Sequence, residues 1–283
     1  MTRDLLLGLV SGLLLGWIGH RVRLLSRSGA LGLAAATLLT FVGGGWTWGI
    51  PLLCFFLSWG IWRRYRAPYK TVLQEQFDSR TPIDAGNVGA RLGWAMLTVL
   101  LHVITGEEIR IFFAFLGALA TATADVWARE LGMLSARPPR LINTGDRVRR
   151  GASGAISLLG LVASLAASSL LGFAGLFPQM AQAWLTQRPW IGMYDWLPLA
   201  ATLGGTVGCL TDSLLGATAQ AIYYCERCEK RTEKRVHSCG EETRQIRGWP
   251  WLDDAGVDLV STIVGGTVTA GIAVWLAQIF MRW

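Results

Sequence analysis

Charge is scarce in this 283-residue chain: Asp, Glu, Lys and Arg make up 16%, against roughly 25% in an ordinary soluble domain. It is also absent over long stretches. Residues 29–62, 151–187 and 259–281 carry no charged side chain. A bilayer crossing needs about 20 mostly apolar residues, so these runs exclude a soluble enzyme. They are rich in Leu, Ala and Gly without the alternation of a membrane β-barrel. The expected fold class is therefore all-α, a polytopic helical bundle in the membrane. Cysteine is scarce as well, and its five copies are an odd number, which argues against a disulfide framework. The first apolar segment lacks a small-x-small cleavage site before another apolar run, so it reads as a retained span rather than a signal peptide. No RNP-like or helix-turn-helix pattern accompanies the net charge of +7, and no nucleic-acid partner is expected.

The apolar pattern gives about eight spans, near 4–19, 29–45, 46–62, 88–105, 109–132, 153–176, 196–222 and 255–280. The second and third share one uncharged run, split by "GGGWTWGIP", where three glycines and Pro51 signal a tight turn. One long or re-entrant segment there would lower the count by one. With eight spans, 22 of the 26 basic residues fall in loops on one side, Arg80, Lys234 and the cluster 147–150 among them. Arg3, Arg110, Arg188 and Arg282 are left on the other. The positive-inside rule then puts both termini outside and the four large loops in the cytoplasm, across the cytoplasmic membrane if the source is bacterial. The whole chain, 1–283, reads as one membrane domain. Residues 1–87 are N-terminal spans and a cytoplasmic linker, 88–283 a motif-bearing core, and 222–250 a Cys/His loop.

Charges return where chemistry is suspected. In "TADVWARELG", residues 123–132, Asp125 and Arg129 lie four apart on one helical face. An ion pair at the membrane edge, with Glu130 in water, is the bland reading. The functional one is that Asp125 and Glu130 face a cytoplasmic cavity, because ionisable groups in a span are costly. The next loop, "RPPRLINTGDRVRRGASGAIS", brings Arg140, Thr144, Arg147, Arg149 and Arg150. It leads into Gly151, Ser153 and Gly154, expected to open a helix whose free N–H groups favour an anion. Asp212 and Ser213 sit inside the seventh span, with Gln220 two turns on. In "WLDDAGVDLVST", Asp253 suits an N-cap, while Asp254 and Asp258, four apart, could point at the same site. In the fourth loop, Cys225, Cys228, His237 and Cys239 are four soft ligands within fifteen residues. They could close a tetrahedral structural zinc site, although the single residue between His237 and Cys239 is tight. Reduced free thiols are the alternative.

Three of these stretches in this order resemble the transmembrane protein 19 family, which includes the phytyl-phosphate kinases of tocopherol synthesis. Its A-D-T-x-A-S-E-x-G helix end, P-R-L-I-T-T loop and P-P-G-T-x-G-G-V-S start correspond to "ADVWARELG", "PRLIN" with Thr144, and "RRGASGAIS". Its G-x-x-D-S-x-x-G-A-T-x-Q helix is nearly intact as "GCLTDSLLGATAQ". Its late G-x-x-W-L-x-N-D-x-V-N element reads "GWPWLDDAGVDLVST". The family's Pro-Pro is Arg149-Arg150 here, and acids, notably Asp258, replace its late Asn residues. The resemblance implies phosphoryl transfer from a nucleoside triphosphate, CTP favoured, to a membrane isoprenoid phosphate. It carries Asp125, Glu130, Arg140, Ser153, Asp212 and Gln220 over as site residues. Mg²⁺ is expected on Asp125, with Asp212 or Glu130 completing its shell. The arginines at 140 and 147–150 are expected to hold the donor phosphates. An isoprenoid-alcohol kinase and a lipid or small-molecule transporter without kinase activity are the rival classes.

Overall fold

The computed structural model describes residues 2–73, 82–107, 109–233, 235–237 and 239–280. Arg80, Lys234 and Arg282, counted in the charge bias, lie outside the described residues. The described chain is a bundle of nine α-helices: α1 Thr2–Arg21, α2 Arg27–Gly44, α3 Trp46–Arg64, α4 Ala67–Leu73, α5 Ala85–Thr105, α6 Ile109–Gly132, α7 Leu158–Thr186, α8 Leu197–Thr218 and α9 Asp254–Phe280. All but the seven-residue α4 have 18 to 29 residues, and they fall on the eight apolar segments. Five of them, α1, α5, α6, α7 and α9, are both long and apolar enough to cross a membrane. Gly and Thr dilute α2 and α8, and four tryptophans dilute α3. The uncharged run 29–62 is two helices. Gly45 divides them at φ 73°, the left-handed region open to glycine.

Helix α6 is the axis of the bundle, buried from Phe112 to Val126 almost without interruption. Its neighbours reach it because they carry glycine where backbones meet. A Cβ on Gly205 of α8 would lie 2.8 Å from Ala120 Cβ of α6, an approach of the kind small residues permit in apolar surroundings. Hydroxyls at these crossings are satisfied within their own helices: Thr121 donates to Gly117 O at 2.9 Å and Thr269 to Gly265 O at 2.8 Å. Neither hydroxyl is thereby left without a partner in apolar surroundings.

Two inserts interrupt the helical pattern at one end of the bundle, where α6 and α8 finish and α7 and α9 begin. The all-α expectation is corrected to that extent. Between α6 and α7, β1 (Arg140–Leu141) pairs antiparallel with β2 (Ala155–Ile156). Between α8 and α9, β3 (Ile222–Cys225), β4 (Lys230–Thr232) and β5 (Arg244–Arg247) form an antiparallel sheet in the order β4-β3-β5. The helix expected to open at residue 153 opens five residues later. Gly151 and Gly154 have φ of 86° and 77°, which no α-helix accepts, and Ala155–Ile156 is committed to the ribbon. Ser157 then caps α7, accepting from Gly160 N at 3.1 Å.

Candidate functional site

The end of the bundle that bears the inserts gathers four aspartates. α6 brings Asp125, α8 brings Asp212, and α9 brings Asp254 and Asp258 on successive turns. Asp125, Asp212 and Asp258 are 5%, 6% and 3% exposed. Asp253 precedes them as the N-cap, accepting from Gly256 N at 2.9 Å. Arg129 is the hub. Its Nε donates to Asp125 Oδ1 at 2.8 Å, its Nη1 to Asp254 Oδ1 at 3.2 Å, and its Nη2 to Asp212 Oδ1 at 3.1 Å and Asp258 Oδ1 at 3.3 Å. Arg91 of α5 adds Nε at 2.9 Å from Asp258 Oδ2, and its guanidinium lies over the Trp59 ring. Four carboxylates against two guanidiniums leave a formal charge of −2.

Two features fit a divalent cation. One carboxylate oxygen from each of Asp125, Asp212 and Asp258 lies within 4.8 Å of the others. Asp125 Oδ2 is buried without a hydrogen-bond partner, with an Arg91 nitrogen 3.9 Å away. A buried carboxylate oxygen left so poorly satisfied is costly, and hard oxygen donors are what Mg²⁺ takes.

Asp125, Asp212 and Asp254 open onto a cavity of about 660 Å³. Its far wall is the loop 150–157, with Ser153, Gly154 and the backbone of Gly151 among its lining; Ser213 lines it too. The loop is pinned to α8: Ser153 Oγ donates to Gly216 O at 3.2 Å and to the buried Gln220 Oε1. Arg150 reaches back to the segment just after α6, donating to Ser135 O at 2.8 Å. Gly154 is required twice over. Its φ is positive, and a Cβ there would sit 2.2 Å from Ala217 N.

Other expected residues lie elsewhere. Glu130 borders the cavity but is outside the carboxylate cluster; its Oε2 accepts from the fully buried Lys70 at 2.7 Å. Arg129 and Glu130 are adjacent on a helix, about 100° apart, so they cannot turn to one partner. Arg140 is exposed on the ribbon and donates to Gly145 O at 2.7 Å. Thr144 accepts from Asp146 N at 3.3 Å in the turn beyond it. Arg147 and Arg149 are exposed and outside the cavity lining. Of the arginines expected to hold phosphate, Arg150 is the one that lines the cavity. Sequence reasoning passed over Arg91, Lys70 and Glu233. Arg91 could have been found as a charge one turn into an apolar helix. Glu233 follows β4, is half-buried, and lines the cavity from the insert. Burial and then the negative charge of Asp254 push its carboxyl up to about 7.

On the far side of β3 and β4 the Cys/His set converges. The ligand atoms of Cys225, Cys228, His237 and Cys239 lie within 4.8 Å of one another. Cys225 Sγ is 3.7 Å from Cys239 Sγ, and His237 Nδ1 is 3.1 Å from it. The Sγ separation is close to the edge of a tetrahedron drawn around Zn²⁺ at about 2.3 Å per sulfur. Hydrogen bonding with His237 lowers the Cys239 thiol to about 6, which favours the thiolate that metals bind. The tight His-x-Cys spacing is accommodated by a turn in which Gly240 N donates to His237 O at 2.9 Å.

An apolar helical bundle with a charged cavity lined by six of its helices at one end defines an integral membrane protein with an internal polar site. The chain belongs to the family described as integral membrane protein DUF92, whose profile matches residues 10–266. This agrees with the transmembrane protein 19 resemblance carried by the motifs. It is similar to Protein PGR of Arabidopsis thaliana, with 28% identity over 96% of this chain and 97% of that one. It is also similar to an uncharacterized membrane protein of Methanocaldococcus jannaschii, with 35% identity over 54% of this chain and 48% of that one. No solved structure matches.

Proposed function

We propose that the cavity is a phosphoryl-transfer site, moving a phosphoryl group from a nucleoside triphosphate to a membrane isoprenoid phosphate and yielding the prenyl diphosphate. The observation that carries this reading is the meeting, in one cavity, of the buried carboxylates of Asp125 and Asp212 with an arginine-bearing glycine loop. Phosphoryl transfer is mostly positioning and charge neutralisation, and both kinds of group are at hand. Asp125, Asp212 and Asp258 would hold Mg²⁺, which when bound offsets negative charge on the donor phosphates. Arg150 and the N–H groups of the 151–154 loop are suited to the donor, with Arg129 and Arg91 free to shift from carboxylate to phosphate. Glu130 is read as the structural partner of Lys70. An acceptor that is already a phosphate monoanion or dianion needs no strong base, and its prenyl tail belongs in the surrounding bilayer.

Purified protein in detergent with Mg²⁺ tests this. CTP, ATP, GTP and UTP are offered with an isoprenoid monophosphate and, separately, the alcohol. Diphosphate formed from the monophosphate supports the reading. Product from the alcohol alone would make the protein an alcohol kinase, and lipid movement without chemistry would make it a transporter.

The reading includes eight crossings with the inserts in the cytoplasm. Cysteines introduced at Ser135 and Thr243 are expected to resist an impermeant thiol reagent in intact cells, while those at Gly106 and Gln187, at the opposite helix ends, react. Labelling of Ser135 from outside would remove the one-sided cytoplasmic site. We further read Cys225, Cys228, His237 and Cys239 as a zinc clip. Metal analysis should find about one Zn²⁺ per chain, lost in Cys225→Ser together with a lower melting temperature; a zinc-free wild type that melts normally would reject the clip.

A further inference from the structure

The clip and the acidic cavity are joined by one short segment. β4 ends at Thr232, and Glu233 follows it directly into the cavity wall. Four residues beyond Glu233 the chain reaches His237 of the Cys/His set. Glu233 is therefore held from both sides. Upstream, the β3–β4 ladder pairs Tyr223 with Thr232 and Cys225 with Lys230. Downstream, His237 N donates to Glu241 O at 2.9 Å, and His237 faces Cys239. The sheet is itself fastened to the bundle: Ala221 N donates to Leu252 O at 2.8 Å, and Trp249 N to Ala219 O at 2.9 Å. What the insert presents to the cavity is a carboxylate beside Asp254 and Gln220. Within the cavity, Asp125 Oδ2 stays buried and without a hydrogen-bond partner, so the cluster is incomplete as it stands.

We propose that Glu233 is a working carboxylate of the cavity, reaching toward a divalent cation on the aspartates, and that the Cys/His clip serves to hold it there. This rests on the cation reading of the aspartate cluster. A clip whose ligands are all internal has no position open for substrate, yet it stands between the two anchors of a segment that ends in the site. Metal at the clip would fix His237, and His237 would fix Glu233. Conversely, loss of clip metal would withdraw one carboxylate from the cavity and leave the helices as they are. Residues that orient a metal's ligands typically change its affinity by roughly 10- to 100-fold when removed.

The test is Mn²⁺ binding to full-length protein in detergent, read by electron paramagnetic resonance, with zinc content measured on the same samples. Glu233→Gln is expected to weaken Mn²⁺ binding about tenfold or more with zinc retained. Cys228→Ser, zinc-depleted, is expected to weaken it as much, and the double variant no further. Glu226→Gln, an exposed acid of the same insert paired with Arg244, is expected to bind as wild type does. Asp125→Asn gauges the cavity itself. If Asp125→Asn loses Mn²⁺ while Glu233→Gln keeps it, the inference fails and the cation reading stands. If wild type binds no Mn²⁺, both fail. Should Cys228→Ser not fold, the contrast between Glu233→Gln and Glu226→Gln decides the role of Glu233, and wild type stripped of zinc by a chelator that is then removed takes the place of Cys228→Ser; Mn²⁺ binding unchanged by zinc removal overturns the role of the clip.

Discussion

Asp125→Asn is expected to lower phosphoryl transfer roughly 10²-fold or more, the scale of losing a key electrostatic group. Asparagine keeps the shape and one oxygen but removes the charge, and Oδ2 of Asp125 is a buried cluster oxygen with no hydrogen-bond partner. Folding should change little. The cluster would still hold three carboxylates around Arg129 and Arg91, so no guanidinium is stranded. Arg140→Lys is the matched control. A lysine often fails where an arginine fork holds phosphate, but Arg140 is exposed and spends its fork on Gly145 O. Near-normal turnover is expected there. Both are measured as prenyl-diphosphate formation in one detergent preparation. Asp125→Asn with wild-type turnover would reduce Asp125 to the ion-pair partner of Arg129.

The second large effect is expected from Gly154→Ala. Gly145 and Gly154 share the same backbone region, with φ of 75° and 77°, so alanine at either costs about 1 kcal/mol or more in conformation alone. Their surroundings differ. A Cβ at Gly145 meets nothing within 4 Å, whereas one at Gly154 lands 2.2 Å from Ala217 N. That neighbour is helix backbone and cannot swing aside, so the 151–154 loop must lift off α8. Ser153 would lose Gly216 O and Gln220, and the cavity its far wall. Gly154→Ala should lose most turnover and melt several degrees lower, on the scale of overpacking a tight contact. Gly145→Ala should retain turnover. Equal behaviour of the two variants would mean that the loop's seat on α8 has no part in the reaction.

Much of this was legible because a membrane makes charge expensive. Asp125 and Asp212 stood out as acids in apolar helices, and Asp254 and Asp258 by their spacing, since few positions in such helices tolerate a charge at all. The helix positions were legible for the same reason. What local pattern could not supply was partnership. Arg129 and Glu130 are neighbours in sequence, yet one meets four aspartates while the other turns to Lys70 on α4, a contact sixty residues away in the chain. The arginines at 140, 147 and 149 looked like a phosphate cluster because basic loops and anion loops have the same composition. The β1–β2 ribbon turns Arg140 and Arg147 outward and leaves Arg150 at the cavity. Glu233 was hidden among the charges of a loop that reads as solvated. It becomes visible once β3 and β4 fold the loop back onto the helix ends.

The most direct measurement is transfer of label from the γ-phosphate of a nucleoside triphosphate to an isoprenoid monophosphate by the purified chain in detergent. A phosphoryl-transfer cavity predicts labelled prenyl diphosphate that depends on Mg²⁺ and disappears with Asp125→Asn. Intact, zinc-loaded protein that folds and binds lipid yet transfers no label from any of the four nucleotides would contradict it.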